Sequence, residues 1–291
     1  MFTRSASVVV VLSAAVALIC AAVARAADAS PSWKGPFFFV LLTDPQLGMF
    51  AADKDFVRES ALMEKAVDHV NRLKPAFVVF CGDHTNKVAD PAQIGEFKRL
   101  VAKIDKSIPV YLVAGNHDVG NAPTAKDLDL YRREFGRDWY SFDYGGCHFV
   151  VLNSVIIHKG EKVADQAAAQ MAWLAEDLRQ AASRKPKHVI VFQHHTLFVS
   201  RIDEPASYHS IPPDARKTLI DLYAASGVSA VFAGHLHYCA APRFDRFIVF
   251  AAGPVGKPLG KDPSGLTIVA VRENKVEYRY FGLENVPARA E

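Results

Sequence analysis

Residues 37–46 read Phe-Phe-Phe-Val-Leu-Leu-Thr-Asp-Pro-Gln, and residues 76–83 read Ala-Phe-Val-Val-Phe-Cys-Gly-Asp. Each is an unbroken apolar run rich in aromatic and β-branched residues that ends on turn residues and a carboxylate. An apolar run without alternation fits a strand covered on both faces, as in a parallel sheet. Between the two runs, Leu62, Ala66, Val70 and Leu73 recur at helical spacing from Val57 onward, and Pro75 stops the pattern. Strand, helix and strand in this order predict a parallel pair joined by a helical crossover, and hence an α/β protein.

The same rhythm continues along the chain. Asp90-Pro91 is a cap followed by proline at the first helical position, opening a helix with Ile94, Phe97, Val101 and Ile104 inward. Pro109–Ala114 reads as a strand running into Gly115-Asn116-His117-Asp118. Further on come strand Cys147–Leu152, helix Asp165–Ala182, strand His188–Phe192 leading to His194, and helix Asp214–Ala225. Strand Val228–Phe232 leads into Gly234-His235-Leu236-His237, and strands near Phe247–Ala252, Leu266–Val271 and Val276–Phe281 close the chain. No linker, repeat or low-complexity tract interrupts it. The expectation is one domain, with two sheets packed face to face and helices outside.

Half of the 291 residues are hydrophobic and 22% are charged, a globular composition. Arg4 and Arg25 are the only charged residues among the first 26, which leaves 32 basic and 31 acidic residues in the remainder. That balance offers no electrostatic footprint for a nucleic-acid partner. Residues 1–26 combine Arg4, an apolar run from Ala6 to Val23 and the small-residue site Ala24-Arg25-Ala26. They are expected to be a signal peptide, leaving a mature domain of residues 27–291 that is exported to the periplasm or beyond, without stable membrane insertion. A retained anchor is the alternative, and the bulky Ile19 before Cys20 speaks against a lipoprotein. Cleavage leaves Cys81, Cys147 and Cys239; three widely spaced cysteines in apolar surroundings suggest buried thiols rather than a disulfide framework, although one bridge is possible.

The chemistry lies where the strands end. Asp44, Gln46, Asp83, Asn116, His194, His235 and His237 all fall within a few residues of an expected strand terminus. Ligand sites of open α/β sheets gather there. The set mixes oxygen and imidazole donors with no thiolate, which suits Mn, Fe or Zn better than a structural Cys-type site, with Mg also admissible. It is too large for one tetrahedral ion and matches two ions sharing a carboxylate, the arrangement that clamps a phosphoryl group.

Taken together, Asp44-Pro45-Gln46, Gly82-Asp83, Gly115-Asn116-His117-Asp118, His194 and Gly234-His235-Leu236-His237 resemble the calcineurin-like metallophosphoesterase family. A narrower likeness is to the subgroup typified by calcineurin-like phosphoesterase domain-containing protein 1, described as a serine/threonine phosphatase. It rests on the same motifs with Gly120-Asn121, Pro123-Thr124, Phe192-Gln193-His194, Asp262-Pro263 and Gly265-Leu266. The resemblance implies a four-layer α-β-β-α sandwich of two mixed sheets. It also implies hydrolysis of a phosphate ester by a hydroxide activated between two divalent or trivalent metal ions. By the family pattern Asp44, Gln46 and His237 hold one ion, Asn116, His194 and His235 the other, and Asp83 bridges them. His117 faces the substrate as proton donor, and Asp118 is expected to orient it from behind. The family commonly has histidine where Gln46 stands. The weaker amide donor is expected to loosen that site and bias it toward Mn or Mg.

Several residues stand beside this set. His194 is expected to ligate and the adjacent His195 to point elsewhere, because Thr196 occupies the place of a proline found two residues after the family's ligand histidine; the swapped assignment is the alternative. His84 reads equally as a supporting or a structural residue. His69, His148, His158, His188 and His209 read as structural or solvated, Trp33, Trp139 and Trp173 as packing residues, and Arg184, Lys185 and Lys187 as a helix end. The loop from Ser200 to Pro213 is expected to overhang the site. The substrate is expected to be a phosphorylated small molecule or protein. A phosphodiesterase acting on nucleotides or lipid headgroups is the alternative activity, and a non-catalytic binding protein that kept the fold the alternative class. Oligomeric state has no signature.

Overall fold

The computed structural model describes residues 32–290, so the expected signal peptide lies outside the described residues. Among the described residues, ten strands form two five-stranded sheets. They are β1 (Phe37–Leu42), β2 (Val78–Cys81), β3 (Val110–Val113), β4 (Tyr140–Tyr144), β5 (Cys147–Val151), β6 (Val189–Phe192), β7 (Val228–Ala233), β8 (Ile248–Ala251), β9 (Gly265–Arg272) and β10 (Lys275–Gly282). The first sheet has the order β10-β9-β1-β2-β3 and the second β4-β5-β6-β7-β8. β1, β2 and β3 run parallel, as do β5 through β8, while β9, β10 and β4 join antiparallel. Both sheets are therefore mixed, and each turns the carboxyl ends of its parallel strands toward one rim.

The helices are α1 (Val57–Leu73), α2 (Pro91–Val101), α3 (Asn116–Val119), α4 (Ala125–Phe135), α5 (Ser154–Lys159), α6 (Ala164–Arg184) and α7 (Pro213–Ala225). Alternate residues of each strand serve different layers, because successive side chains point to opposite faces. Phe39 and Leu41 face the second sheet and pack with Phe77, Val79, Phe149, Phe192 and Phe232. Val40 and Leu42 face outward against Met63, Val67 and Val70 of α1 and Phe97 and Leu100 of α2. The second sheet repeats this, with Val150 and Val191 against Leu174 and Leu178 of α6 and Leu219 and Tyr223 of α7. The result is the four-layer α-β-β-α sandwich. Cys81, Cys147 and Cys239 are all free thiols, the first two buried between the sheets.

Some local expectations shift. On α1 the inward face carries Met63, Ala66, Val67, Val70 and Leu73, with Leu62 only half-buried, because the stripe that meets the sheet is turned by one residue. On α2, Leu100 is buried and Val101 half-buried. Strand β4 was not expected, although its Tyr-Ser-Phe-Asp-Tyr pattern followed by Gly145-Gly146 is a hairpin signal. Both glycines have positive φ, 60° and 86°, as a tight two-residue hairpin turn requires. β4 closes one edge of the sandwich: Phe142 stacks on Tyr111 at 3.6 Å, and the Tyr140 hydroxyl meets the Leu112 backbone. Among the described residues no helix is long and apolar enough to cross a membrane.

Phe39 contacts both sheets, stacked on Phe77 at 4.8 Å and edge-on to Phe149, Phe192 and Phe232. Phe39→Ala is expected to cost about 3–5 kcal/mol in urea unfolding. A loss below 1 kcal/mol would show that the inter-sheet layer does not carry the fold. His148 is buried between Asp143 (2.7 Å) and Asp177 (2.9 Å), and Arg184 sits 3.6 Å from Asp143. Burial opposes its protonation, but the two carboxylates outweigh burial and raise its pKa above the usual 6.5. The stabilisation from this cluster is therefore fully present below pH 6.5 and lost as pH rises through the raised value. Unfolding across that range should show the stability difference between wild type and His148→Gln shrinking as pH rises.

Candidate metal centre

The rim common to both sheets collects five loops. Asp44 and Gln46 follow β1, Asp83 follows β2, Asn116 and His117 open α3 after β3, His194 follows β6, and His235 and His237 follow β7. Backbone hydrogen bonds lace these loops together. Asp44 N–H donates to Gly82 O at 3.1 Å, Gln46 N–H to Asp83 O at 2.8 Å and Gly234 N–H to His194 O at 3.1 Å. Two glycines allow the approach: a Cβ on Gly115 would lie 2.1 Å from Asp83 N, and one on Gly82 2.2 Å from the His194 ring. Gly82 also needs its φ of +89°.

Two groups of donor atoms converge. Asp83, His194 and His235 bring one ligand atom each within 4.8 Å of one another, and so do Asp44, Asp83 and His237. Asp83 belongs to both groups. Asn116 joins the first: its Oδ1 lies 3.0 Å from His194 Nε2, which is itself 3.2 Å from Asp83 Oδ2 and 3.1 Å from His235 Nδ1. Asp44 Oδ1 lies 3.7 Å from His237 Nε2 in the second. Gln46 is buried beside it; its Nε2 donates to Asn86 Oδ1 at 2.9 Å, while its Oε1 has no hydrogen-bond partner among the described residues. A buried amide oxygen left without a donor is costly unless a cation completes it. The donor set of oxygens and imidazoles therefore fits two metal ions.

Backbone carbonyls set the tautomer of each imidazole. A carbonyl oxygen can only accept, so the ring nitrogen facing it carries the proton. Thus His194 Nδ1–H donates to Cys81 O (3.0 Å), His237 Nδ1–H to Lys257 O (2.7 Å) and His235 Nε2–H to Tyr208 O (3.0 Å). The opposite nitrogen of each ring points into the donor groups, and it offers a lone pair there when the ring is neutral. Five of the seven residues, Asp44, Gln46, Asp83, His235 and His237, hold positive φ between 40° and 73°. Such strain in non-glycine residues persists where the surroundings over-determine it, and it marks sites of function.

The electrostatics follow from burial and proximity. Burial opposes ionisation of Asp83, but His194, His117 and His235 outweigh it and hold the carboxyl well below the usual range. Burial also disfavours charge on His194, yet Asp83 and Asp44 raise it to about 9. His235 falls to about 3 through burial and the neighbouring His194. Asp44 is raised, chiefly by burial.

The structure corrects one expected contact. Asp118 does not hold His117. Its buried carboxylate accepts from the backbone N–H groups of Gly115 (2.9 Å), His84 (2.8 Å) and Thr85 (3.2 Å), tying the β2 loop to the start of α3. Burial and the Asp83 charge push Asp118 up to about 8. His117 is instead held by its Nδ1–H donating to Asn86 O at 2.7 Å, which leaves Nε2 free, while its backbone N–H donates to Asp83 Oδ1 at 2.8 Å. Of the adjacent pair, His194 sits among the donors, and His195 turns to Ser154 Oγ (3.1 Å) and stacks on His158. His84 lies flat on Phe97 at 4.5 Å, a packing position.

Three residues that hold the site had no expected role. Asn86 meets both Gln46 and His117, Lys257 supplies the carbonyl behind His237, and Tyr208 meets both Asn116 and His235. Only Tyr208 had a sequence signal, through its place in the Ser200–Pro213 loop. Asp118→Asn puts an amide N–H against a backbone donor, and Asp118→Ala leaves three buried N–H groups unpaired. We expect the alanine variant to lose roughly 2–4 kcal/mol and both variants to retain less metal, measured by urea unfolding and elemental analysis. Full metal content in both would show that Asp118 does not fix the Asp83 loop.

Comparison with known proteins agrees with this geometry. The family model described as calcineurin-like phosphoesterase matches residues 39–239. The serine/threonine-protein phosphatase CPPED1 of Pongo abelii is 38% identical over 283 residues, covering 90% of this chain and 90% of its own. The human counterpart is 37% identical, covering 89% of this chain and 88% of its own. Among solved structures, purple acid phosphatase PPD1 from yellow lupin superposes with a TM-score of 0.61 at 15% identity, covering 88% of this chain and 53% of its own, a likeness of fold. The chain belongs to the calcineurin-like phosphoesterase family and is a metal-binding hydrolase of phosphate ester bonds.

Proposed function

We propose that the protein is a phosphomonoesterase that uses two ions of the Mn, Fe or Zn class, one held by Asp44, Gln46 and His237, the other by Asn116, His194 and His235, with Asp83 shared. The observation that carries this reading is the double membership of Asp83 in two converging donor groups. Bound there, the ions supply Lewis-acid charge for the phosphoryl oxygens and a nucleophilic water at neutral pH. Gln46 in place of an imidazole favours Mn or Mg at the first position.

The chain's own residues do the rest. His117 is beside the donors without belonging to either group, its ring fixed through Nδ1 and its Nε2 free to protonate the departing ester oxygen. Asn116 is oriented by its amide N–H bonds to Asn121 Oδ1 and the Tyr208 hydroxyl, both 2.9 Å, which aim its Oδ1 at the donor group. The named activity of the CPPED1 relatives supports a monoester substrate, either a phosphoprotein or a small molecule. The expected signal peptide in residues 1–26 supports export, and in the periplasm or outside the cell a small phosphate ester is the more accessible substrate.

The decisive assay presents phosphomonoesters and phosphodiesters to metal-stripped mature protein re-supplied with Mn, Fe or Zn. Monoesters are expected to turn over and diesters to lag. Asp83→Asn and His235→Ala should abolish activity and weaken metal retention. His117→Ala should slow turnover by about 10²–10⁴-fold with both metals retained by elemental analysis. Loss of metal in His117→Ala would overturn the division between ligand and proton donor.

A further inference from the structure

Beside the donor groups lies a cavity of about 500 Å³ lined by Asn121, His158, Lys159, Ser207, Tyr208 and Pro212, among others. Two of these residues touch the metal centre directly. Asn121 Oδ1 and the Tyr208 hydroxyl each accept from Asn116 Nδ2, and Tyr208 O accepts from His235 Nε2. The cavity therefore adjoins the donor groups through Asn121 and Tyr208.

Its walls are preformed. Arg216 is almost completely buried, and its guanidinium donates to the carbonyls of Ile202 (2.7 Å), Glu204 (2.8 Å) and Ile211 (3.0 Å), pinning the Ser200–Pro213 loop at three points. Glu204 accepts from Val199 N–H, Ser200 N–H and Ser210 Oγ–H, closing the same loop from its other end. On the opposite wall, His158 Nε2–H donates to Ser207 O at 3.0 Å, and its ring stacks on the buried His195 at 4.6 Å. The loop thus holds Tyr208, 47% exposed, as a fixed aromatic platform.

The charge of the cavity is one-sided. Lys159 alone among the lining side chains carries a permanent positive charge, and none is a carboxylate. Lys159 is exposed and makes no ion pair among the described residues. The two carboxylates of the Ser200–Pro213 loop are engaged within it: Asp203 pairs with Arg201 at 2.7 Å, and Glu204 accepts from Val199 N–H and Ser210 Oγ–H. A lysine with no partner beside an exposed ring favours an anionic group that packs on an apolar surface.

We propose that this cavity is the substrate-selecting pocket, and that it prefers phosphate esters whose organic moiety bears a second anion, read by Lys159 against the Tyr208 ring. The inference rests on the phosphomonoesterase reading above and names its substrate class. An acidic phosphopeptide and a small carboxylated or doubly phosphorylated ester share this chemistry.

The test compares phenyl phosphate with its meta-carboxylated derivative, in wild type, Lys159→Ala and Lys159→Glu. Wild type should favour the carboxylated ester in kcat/KM, Lys159→Ala should lose about 5-fold on that ester alone, and Lys159→Glu should invert the preference; added salt should shrink all three effects. Phosphoserine peptides with acidic or neutral flanks, run alongside, separate the sources: discrimination among peptides assigns a protein substrate, and its restriction to small esters assigns a metabolite. Calorimetry with unreactive benzylphosphonate and its meta-carboxylated derivative gives a readout independent of turnover. Discrimination dependent on Lys159 in binding without hydrolysis upholds the pocket and sinks the phosphomonoesterase reading. Equal losses on charged and neutral compounds, or no discrimination by wild type in either assay, overturn the pocket.

Discussion

Asp83 is the point on which the structure turns. It is a completely buried carboxylate at the carboxyl end of a central strand, and a buried charge without partners costs several kcal/mol. Here it is surrounded by groups that favour its ionised form: the His117 backbone N–H, the His194 ring and the paired donor groups to which it contributes. Everything near it serves to keep those groups in place. Asp118 accepts from the loop that follows it, and Gly115 leaves the space that its backbone needs. The two sheets bring their rims together across it, through His194 Nδ1–H on Cys81 O.

The division of labour between sheets and loops follows from the same constraint. The sheets are apolar on both faces and close-packed, so their strand ends are fixed positions. The loops carry the strain, with five site residues in the left-handed region. Strained backbone is tolerated where rigid strands anchor both ends and hydrogen bonds cross from loop to loop. Each imidazole is oriented by a backbone carbonyl, so its opposite nitrogen stays aimed at the other donors. The Ser200–Pro213 loop extends this logic outward: a buried arginine holds it, and it in turn holds His235, Asn116 and the wall of the neighbouring cavity.

Much of this was legible in the chain. Phe37–Leu42 and Val57–Leu73 have the boundaries that their composition and spacing imply, because Pro75 and the Thr-Asp-Pro turn punctuate them. The residues that converge at the rim were legible because each follows an apolar run. Other features were not. β4 is half-exposed at a sheet edge, so its pattern lacks the continuous apolar run of the central strands. The role of Asp118 was misread because adjacency to His117 suggested a contact, whereas α3 turns successive side chains to different sides of its axis. Asn86 and Lys257 carry no local signal, and all three supporting residues, Tyr208 included, act through backbone carbonyls that every residue possesses.

What the sequence determined by itself is the inventory: apolar runs long enough for two sheets, turns at their ends, and donors of the right chemistry immediately after them. Those properties are local, set by hydrophobic periodicity and by the conformational limits of glycine and proline. How closely the donors converge, which nitrogen of each histidine faces a carbonyl, what holds His117, and where a cavity lies beside the centre were decided only by the tertiary structure. They depend on contacts such as Asp44 with His237, His194 with Asp83 and Tyr208 with Asn116, which join distant segments. Sequence spacing places no limit on such contacts once the strands between them are packed.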